Sequence, residues 1–205
     1  VSAGTYYENI TWPATNGIKL IGSGEDDCII DGDSLASVIR FEEDLGVIIN
    51  STTLITGFTI QNGHAQGGNM VNSGGGMNLD ESSPTLTDVT LSNNSAHSGG
   101  GMYPSEYSNP ILTDVTFSGN TANISRGMHR NQSSPTLTNL TFSGNTANEG
   151  GGMHLLESSP TLTNSILWNN SPEEILLSSS TINISYSDIQ GDWEGEATSM
   201  LTLNS

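Results

Sequence analysis

Basic residues are scarce in this chain of 205 amino acids. Four lysine and arginine side chains stand against 22 acidic ones, which gives a formal net charge of −18. Nucleic acids and anionic membrane surfaces bind clustered Lys and Arg, so this balance argues against both kinds of partner. We therefore expect no nucleic-acid partner.

Paired cysteines and long apolar runs are also missing. Cys28 has no second cysteine to pair with, which excludes an internal disulfide, and its apolar neighbours favour a buried thiol. No apolar run approaches the roughly 20 residues of a membrane span, and the first residues show no signal peptide. We expect no membrane span and a mature or trimmed chain.

The chain does contain a repeat, typified by SSPTLTNLTFSGNTANEGGGMH at 133–154. Two markers recur independently: prolines spaced 26, 25 and 25 residues apart, and methionines spaced 25, 26 and 25 apart. Short alternating segments are separated by Gly, Asn and Ser-Pro turn signals, and no segment has a helical period. A repeat of this length without a helix predicts one coil of a parallel β-helix. The markers are Pro84, Pro110, Pro135 and Pro160, with Met77, Met102, Met128 and Met153.

The alternation assigns the faces of each coil. We predict inward columns of aliphatic and aromatic residues beside the methionines, and a turn where stacked asparagine amides bond from coil to coil. The inward columns are Leu86, Leu112, Leu137 and Leu162; Val89, Val115 and Leu140; and Leu91, Phe117, Phe142 and Leu167. The amide column is Asn94, Asn120, Asn145 and Asn170.

The whole chain is expected to form one all-β domain over 1–205. Irregular first coils occupy 1–74, regular repeats 75–170, a last coil 171–196 and an atypical tail 197–205. We predict about seven to eight coils, a rod of roughly 35 Å at about 4.8 Å per coil. The first coil shows no capping helix, so the chain is expected either to self-associate end to end or to have lost its cap during processing.

Several motifs resemble a known family. GGGM and FSGN, ending at Met153 and Asn145, look like the GGA-aliphatic and FxxN signatures of polymorphic outer-membrane-protein repeats. GTYYENI and IIDG, ending at Ile10 and Gly32, resemble the first coils of pectin-lyase-like right-handed β-helix proteins. The resemblance implies a single-stranded right-handed parallel β-helix that is secreted or displayed on the cell surface, often as an adhesin.

The end of the chain departs from that family. SYSDIQGDWEGE, from Ser185 to Glu196, resembles the last coil of such proteins. The residues from Ala197 to Leu203 read as the usual family ending translated in a neighbouring frame, so we predict a frameshift and a tail without function.

Catalytic constellations are not visible. Lyases and glycoside hydrolases on this fold need arrayed carboxylates, whereas the acidic pairs here fall near turns. We expect solvated turn charge, with a weak calcium site as the alternative and no other cofactor. These groups are Glu25, Asp26 and Asp27; Glu42, Glu43 and Asp44; Asp80 and Glu81; and Glu173 and Glu174.

One outward column combines polar and basic residues. Directly after the methionines come Asn78, Tyr103, His129 and His154, with Arg126 and Arg130 beside them. This stripe is either exposed polar surface or a carbohydrate-binding site. Two histidines without a third ligand define no metal geometry, so no metal site is expected.

An outward threonine ladder offers a third reading, ice binding. Its first file is Thr87, Thr113, Thr138 and Thr163; its second is Thr85, Thr136 and Thr161, interrupted by Ile111. Together these patterns favour a non-enzymatic, secreted or cell-surface module for adhesion or extracellular structure, with an extracellular polysaccharide or a host or cell surface as partner. A carbohydrate-active, polysaccharide-lyase-like enzyme or a fragment of one is the alternative.

Overall fold

A computed structural model describes residues 1–41, 49–65, 73–105, 107–123, 128–131, 133–191 and 197–201, with the backbone alone at 128–131 and 197–201. Every regular element in these ranges is a β-strand, and the strands pair in parallel. Within them there is also no helix with the length and apolarity needed to cross a membrane. The chain winds into a parallel β-helix, as the repeat predicts.

Eleven strands form the long sheet. It contains β1 (Gly4–Tyr7), β3 (Lys19–Ile21), β4 (Cys28–Asp31), β6 (Leu54–Gln61), β9 (Thr85–Ser92), β12 (Ile111–Ser118), β15 (Thr136–Ser143), β17 (Thr161–Thr163), β18 (Ile166–Trp168), β20 (Asn183–Ile189) and β21 (Ala197–Leu201).

Two further sheets complete each coil. The seven-stranded sheet contains β2 (Ile10–Thr11), β5 (Ile39–Phe41), β8 (Met77–Leu79), β11 (Met102–Pro104), β14 (Met128–Asn131), β16 (Met153–Leu156) and β19 (Ile175–Ser178). The short sheet contains β7 (His64–Ala65), β10 (Ser95–Ala96) and β13 (Thr121–Ala122). Seven stacked strands agree with the predicted number of coils.

The predicted inward columns form the core. Every leucine, valine and phenylalanine of these columns is at most 1% exposed, as are Met77, Met102 and Met153. Phe117 and Phe142 stack with their ring centroids 4.6 Å apart and their planes at 1°. Met128 stands in backbone register with Met102 and Met153. Apolar side chains of similar kind on successive coils therefore fill the interior.

The predicted asparagine ladder is present and buried. The Asn120 side-chain oxygen accepts from Asn94 Nδ2 at 3.1 Å and from the Asn94 backbone N–H at 3.0 Å. Asn120 Nδ2 donates to Leu91 O at 2.9 Å and to Asn145 Oδ1 at 2.9 Å. The pattern repeats from Asn145 to Asn170, so each amide satisfies backbone and side chain at a turn that would otherwise bury unpaired groups.

Irregularity is confined to the ends of the described chain. In the first coils β3 and β4 pair with two halves of β6, starting from the register pairs of Lys19 with Leu54 and of Ile29 with Thr59. At the other end, β21 pairs with β20 through two register shifts, so part of the atypical tail continues the long sheet.

Candidate binding surfaces

The predicted stripe forms a column on the seven-stranded sheet. Asn78 stands in register with Tyr103, and His129 stands in register with His154. Arg40 joins the column beside Asn78. The position of Arg40 in this column cannot be predicted from the sequence, because the first coils lack the regular period that determines register.

The side chains of Asn78, Tyr103 and His154 are not exposed, so the prediction of an exposed stripe is wrong for these three. Asn78, Tyr103 and His154 are only 5%, 7% and 4% exposed. The loop that enters each strand lies over them: a Cβ on Gly99 would be 2.9 Å from Tyr103 Cβ, and one on Gly150 would be 2.9 Å from His154 Cβ. Both glycines have positive φ, 65° and 59°, which lets the backbone fold back onto the strand.

For His129 and Arg130 the structure describes the backbone register only. His154 Nε2 lies 2.8 Å from Ser178 Oγ on the next coil. Arg130 stands in register with Leu155, a buried residue one position away from the column of His154. Arg126 lies outside the described residues. Within the described chain the column is therefore covered by the corner loops and is not an open groove.

The broadest repetitive surface is the outward side of the long sheet. Its positions align coil by coil, as Thr87, Thr113 and Thr138 do in one file and Thr90, Thr116 and Thr141 do in another. We call sixteen of these positions the hydroxyl face: Thr85, Thr87, Thr90, Ser92, Ile111, Thr113, Thr116, Ser118, Thr136, Thr138, Thr141, Ser143, Thr161, Thr163, Ile166 and Trp168.

None of these sixteen positions carries a charge, although the exposed Asp88 and Asp114 lie between the two halves of β9 and β12. Thirteen of the sixteen side chains are Thr or Ser, and the interruptions are Ile111, Ile166 and Trp168. The two isoleucines are 37% and 48% exposed. One edge is partly covered, since Thr90 Oγ1 donates to Glu25 Oε2 at 2.8 Å across the sheet. Parallel strands repeat at about 4.8 Å, so hydroxyl and methyl groups recur at that spacing.

Two acidic side chains are buried, which corrects the expectation of solvated charge for one of them. Glu174 is 8% exposed and accepts the Asn170 backbone N–H and amide, so it ends the asparagine ladder. Burial raises the pKa of Glu174 against the opposing effect of those hydrogen bonds. Asp31 is the second buried acid, and the sequence does not identify it. Burial favours a higher pKa for Asp31, but the hydrogen bonds that it accepts from Gln61, the Asp33 N–H and Asn62 lower its pKa overall.

Neither acid belongs to a cluster with metal-binding composition. A depression of about 440 Å³ lies beside Glu174, between Asn169 and Gly191. Among the described residues no three His, Cys, Asp or Glu side chains come together in a way that could hold a metal ion. The weak calcium site stays a sequence-based hypothesis, and Glu42 to Asp44 lie outside the described residues.

Comparison with known proteins agrees with this geometry. The family described as "Right handed beta helix region" matches residues 6–189. A solved structure of ORF18 from Geobacillus virus E2 is similar with a TM-score of 0.60 and 14% identity, over 97% of this chain and 41% of that one. The chain thus spans less than half of that protein's length, and the likeness concerns the fold. No curated protein matches the chain. The match over residues 6–189 and the parallel coils together show that the chain belongs to the right-handed β-helix family.

Proposed function

We propose that this protein is a non-enzymatic, extracellular β-helix module that acts in adhesion or extracellular structure by binding an uncharged polysaccharide on its hydroxyl face. The observation that carries the proposal is the in-register array of thirteen hydroxyl side chains at positions that hold no charged residue. The covered column of Asn78, Tyr103 and His154 has no comparable open area.

The chemistry of the hydroxyl face suits a neutral glycan. Each threonine presents a hydroxyl that both donates and accepts and a methyl group that contacts apolar sugar faces. The net charge of −18 repels acidic polymers, and the face contains no Lys or Arg to offset that repulsion. An extended polysaccharide can contact several coils at once, so weak contacts add up along the rod.

A single charge on the hydroxyl face tests this function. Thr136 and Thr121 are both exposed strand residues, but Thr136 belongs to the hydroxyl face and Thr121 to the short sheet. We expect Thr136→Glu to weaken binding at least about tenfold, because a carboxylate would lose water against the sugar. Thr121→Glu should bind like the parent. Affinity electrophoresis and sedimentation with neutral and acidic polysaccharides measure both.

The same panel distinguishes the competing functions. Absence of binding to every neutral polysaccharide by the parent, or equal losses in the two variants, would contradict the proposal. Shortening of any polymer during incubation would instead favour a carbohydrate-active enzyme. That activity is followed by reducing ends and unsaturated products.

Ice binding is a second candidate, favoured by one complete file of threonines. Thr56, Thr87, Thr113, Thr138 and Thr163 follow one another in register without interruption. Hydroxyl and methyl groups that recur at one regular spacing along the rod can order water in a lattice. Thermal hysteresis in the parent that is lost in Thr138→Glu would support this candidate over polysaccharide binding.

A further inference from the structure

A column of residues with left-handed backbone bends every long strand of the regular coils. We call it the bend column: Asp88, Asp114, Asn139, Asn164 and Tyr186, with φ values of 53°, 54°, 58°, 54° and 52°. Asp and Asn tolerate this conformation well, and a bulky residue there is an outlier. Tyr186 is the aromatic member of the column.

Tyr186 also ends an amide ladder. Asn139 Nδ2 donates to Asp114 Oδ1 at 2.8 Å, and Asn164 Nδ2 donates to Asn139 Oδ1 at 2.6 Å. An asparagine at 186 would continue the ladder by donating to Asn164 and would relax the backbone. Tyrosine does neither, and its side chain gains little from packing because it is 73% exposed. A strained backbone conformation that brings no gain in stability indicates a functional role.

The neighbours of Tyr186 explain what that role would be. Ile166 stands in register with Asp188, so it lies one coil and two residues from Tyr186. Ile166 is 48% exposed, and Trp168 follows two residues later on the same side of the sheet. Tyr186, Ile166 and Trp168 therefore share the outward side of the long sheet. Next to them lie the hydroxyl groups of Thr163 and Ser185, 3.2 Å apart.

We propose that Tyr186, Ile166 and Trp168 form an apolar subsite that contacts the ring face of one sugar of the bound neutral polysaccharide. The axial C–H groups of a hexose present an apolar face that aromatic rings bind, while the neighbouring hydroxyls orient the ring. This subsite rests on the proposed function and adds to it the position on the hydroxyl face where a sugar ring is held.

Two tyrosines allow a matched experiment. Tyr107 has the same backbone conformation, with φ of 60°, and is 61% exposed, but it lies in a turn before β12. We expect Tyr186→Asn to weaken binding to the neutral polysaccharide about tenfold while raising the melting temperature. Tyr186→Phe should bind like the parent because the ring is kept. Tyr107→Asn should keep full binding.

The possible failures are distinct. If the parent binds and Tyr186→Asn binds equally well, the proposed subsite is wrong, and the proposed function of the hydroxyl face is unaffected. A lower melting temperature for Tyr186→Asn would mean that the ring serves stability, and equal losses in Tyr107→Asn would mean that the effect is not local; either overturns the subsite. If the parent binds no neutral polysaccharide, the proposed function fails first.

Discussion

At the scale of single residues, the glycine corners determine whether the side chains opposite the methionines of the seven-stranded sheet are exposed. Alternation along β11 and β16 correctly places Tyr103 and His154 on the side opposite to the methionines. Alternation cannot tell what folds over that side, because the covering atoms belong to the preceding corner. From the sequence alone, the first glycine of the GGGM motif predicts only a turn. In the structure the Gly99 corner also covers the next strand.

This covering role predicts that Gly99→Ala is far more costly than a similar change elsewhere. A Cβ at Gly99 would lie 2.5 Å from Met102 O and 2.9 Å from Tyr103 Cβ. Gly144 has nearly the same φ, 64° against 65°, but nothing within 4 Å of the added carbon. We expect Gly144→Ala to lose about 1 kcal/mol of unfolding free energy from backbone strain alone, and Gly99→Ala a further 1–3 kcal/mol or so from overpacking. Urea titrations measure both, and equal losses would contradict the role of the corner.

At the scale of the elements, the regular coils follow from the sequence and the first coils do not. The proline and methionine markers fix every register pair between β9, β12 and β15, because each copy has the same length between its turns. In the first coils β3 and β4 together take the place of one long strand, and no repeated motif in the sequence predicts this division. For the same reason, the sequence does not predict that Arg40 belongs to the column of Asn78.

The buried asparagine ladder should be the most sensitive polar element of the coils. Asn120→Ala would leave the Asn94 backbone N–H and the Leu91 carbonyl without their side-chain partner in a fully buried turn. We expect a loss of about 3 kcal/mol or more in unfolding free energy, since each unsatisfied buried group costs roughly 1–3 kcal/mol.

Asn139 provides the control for this prediction. It also takes part in an amide ladder, but on the exposed bend column, where water can replace the lost partner. Asn139→Ala should therefore cost only about 1 kcal/mol, mostly from its left-handed backbone. A loss as large as that of Asn120→Ala would show that burial is not what makes the inner ladder important.

At the scale of the whole molecule, the composition and the repeat predict the fold, but they do not predict which surface binds a ligand. Few charges, a repeat of about 25 residues and many Gly, Asn and Ser residues indicate a solenoid. The hydroxyl face follows from the same repeat, because strand alternation points the recurring threonines outward where the neighbouring leucines point inward. Tyr186 could not be recognised from the sequence, because its position in the bend column depends on backbone conformation and on the register of β20 with β17.

The net charge of −18 makes the stability of the whole rod depend on salt. Repulsion among 22 acidic residues, offset by only four basic ones, opposes the compact state. Raising the ionic strength from about 0.01 M to about 0.15 M shortens the Debye length from roughly 30 Å, about the length of the rod, to roughly 8 Å. We expect the melting temperature at pH 7 to rise over this range. Near pH 4, close to the isoelectric point of about 4.1, the same salt step should have almost no effect because the repulsion is already removed. Equal salt effects at both pH values would contradict charge repulsion and would assign the change to general salt effects on apolar hydration instead.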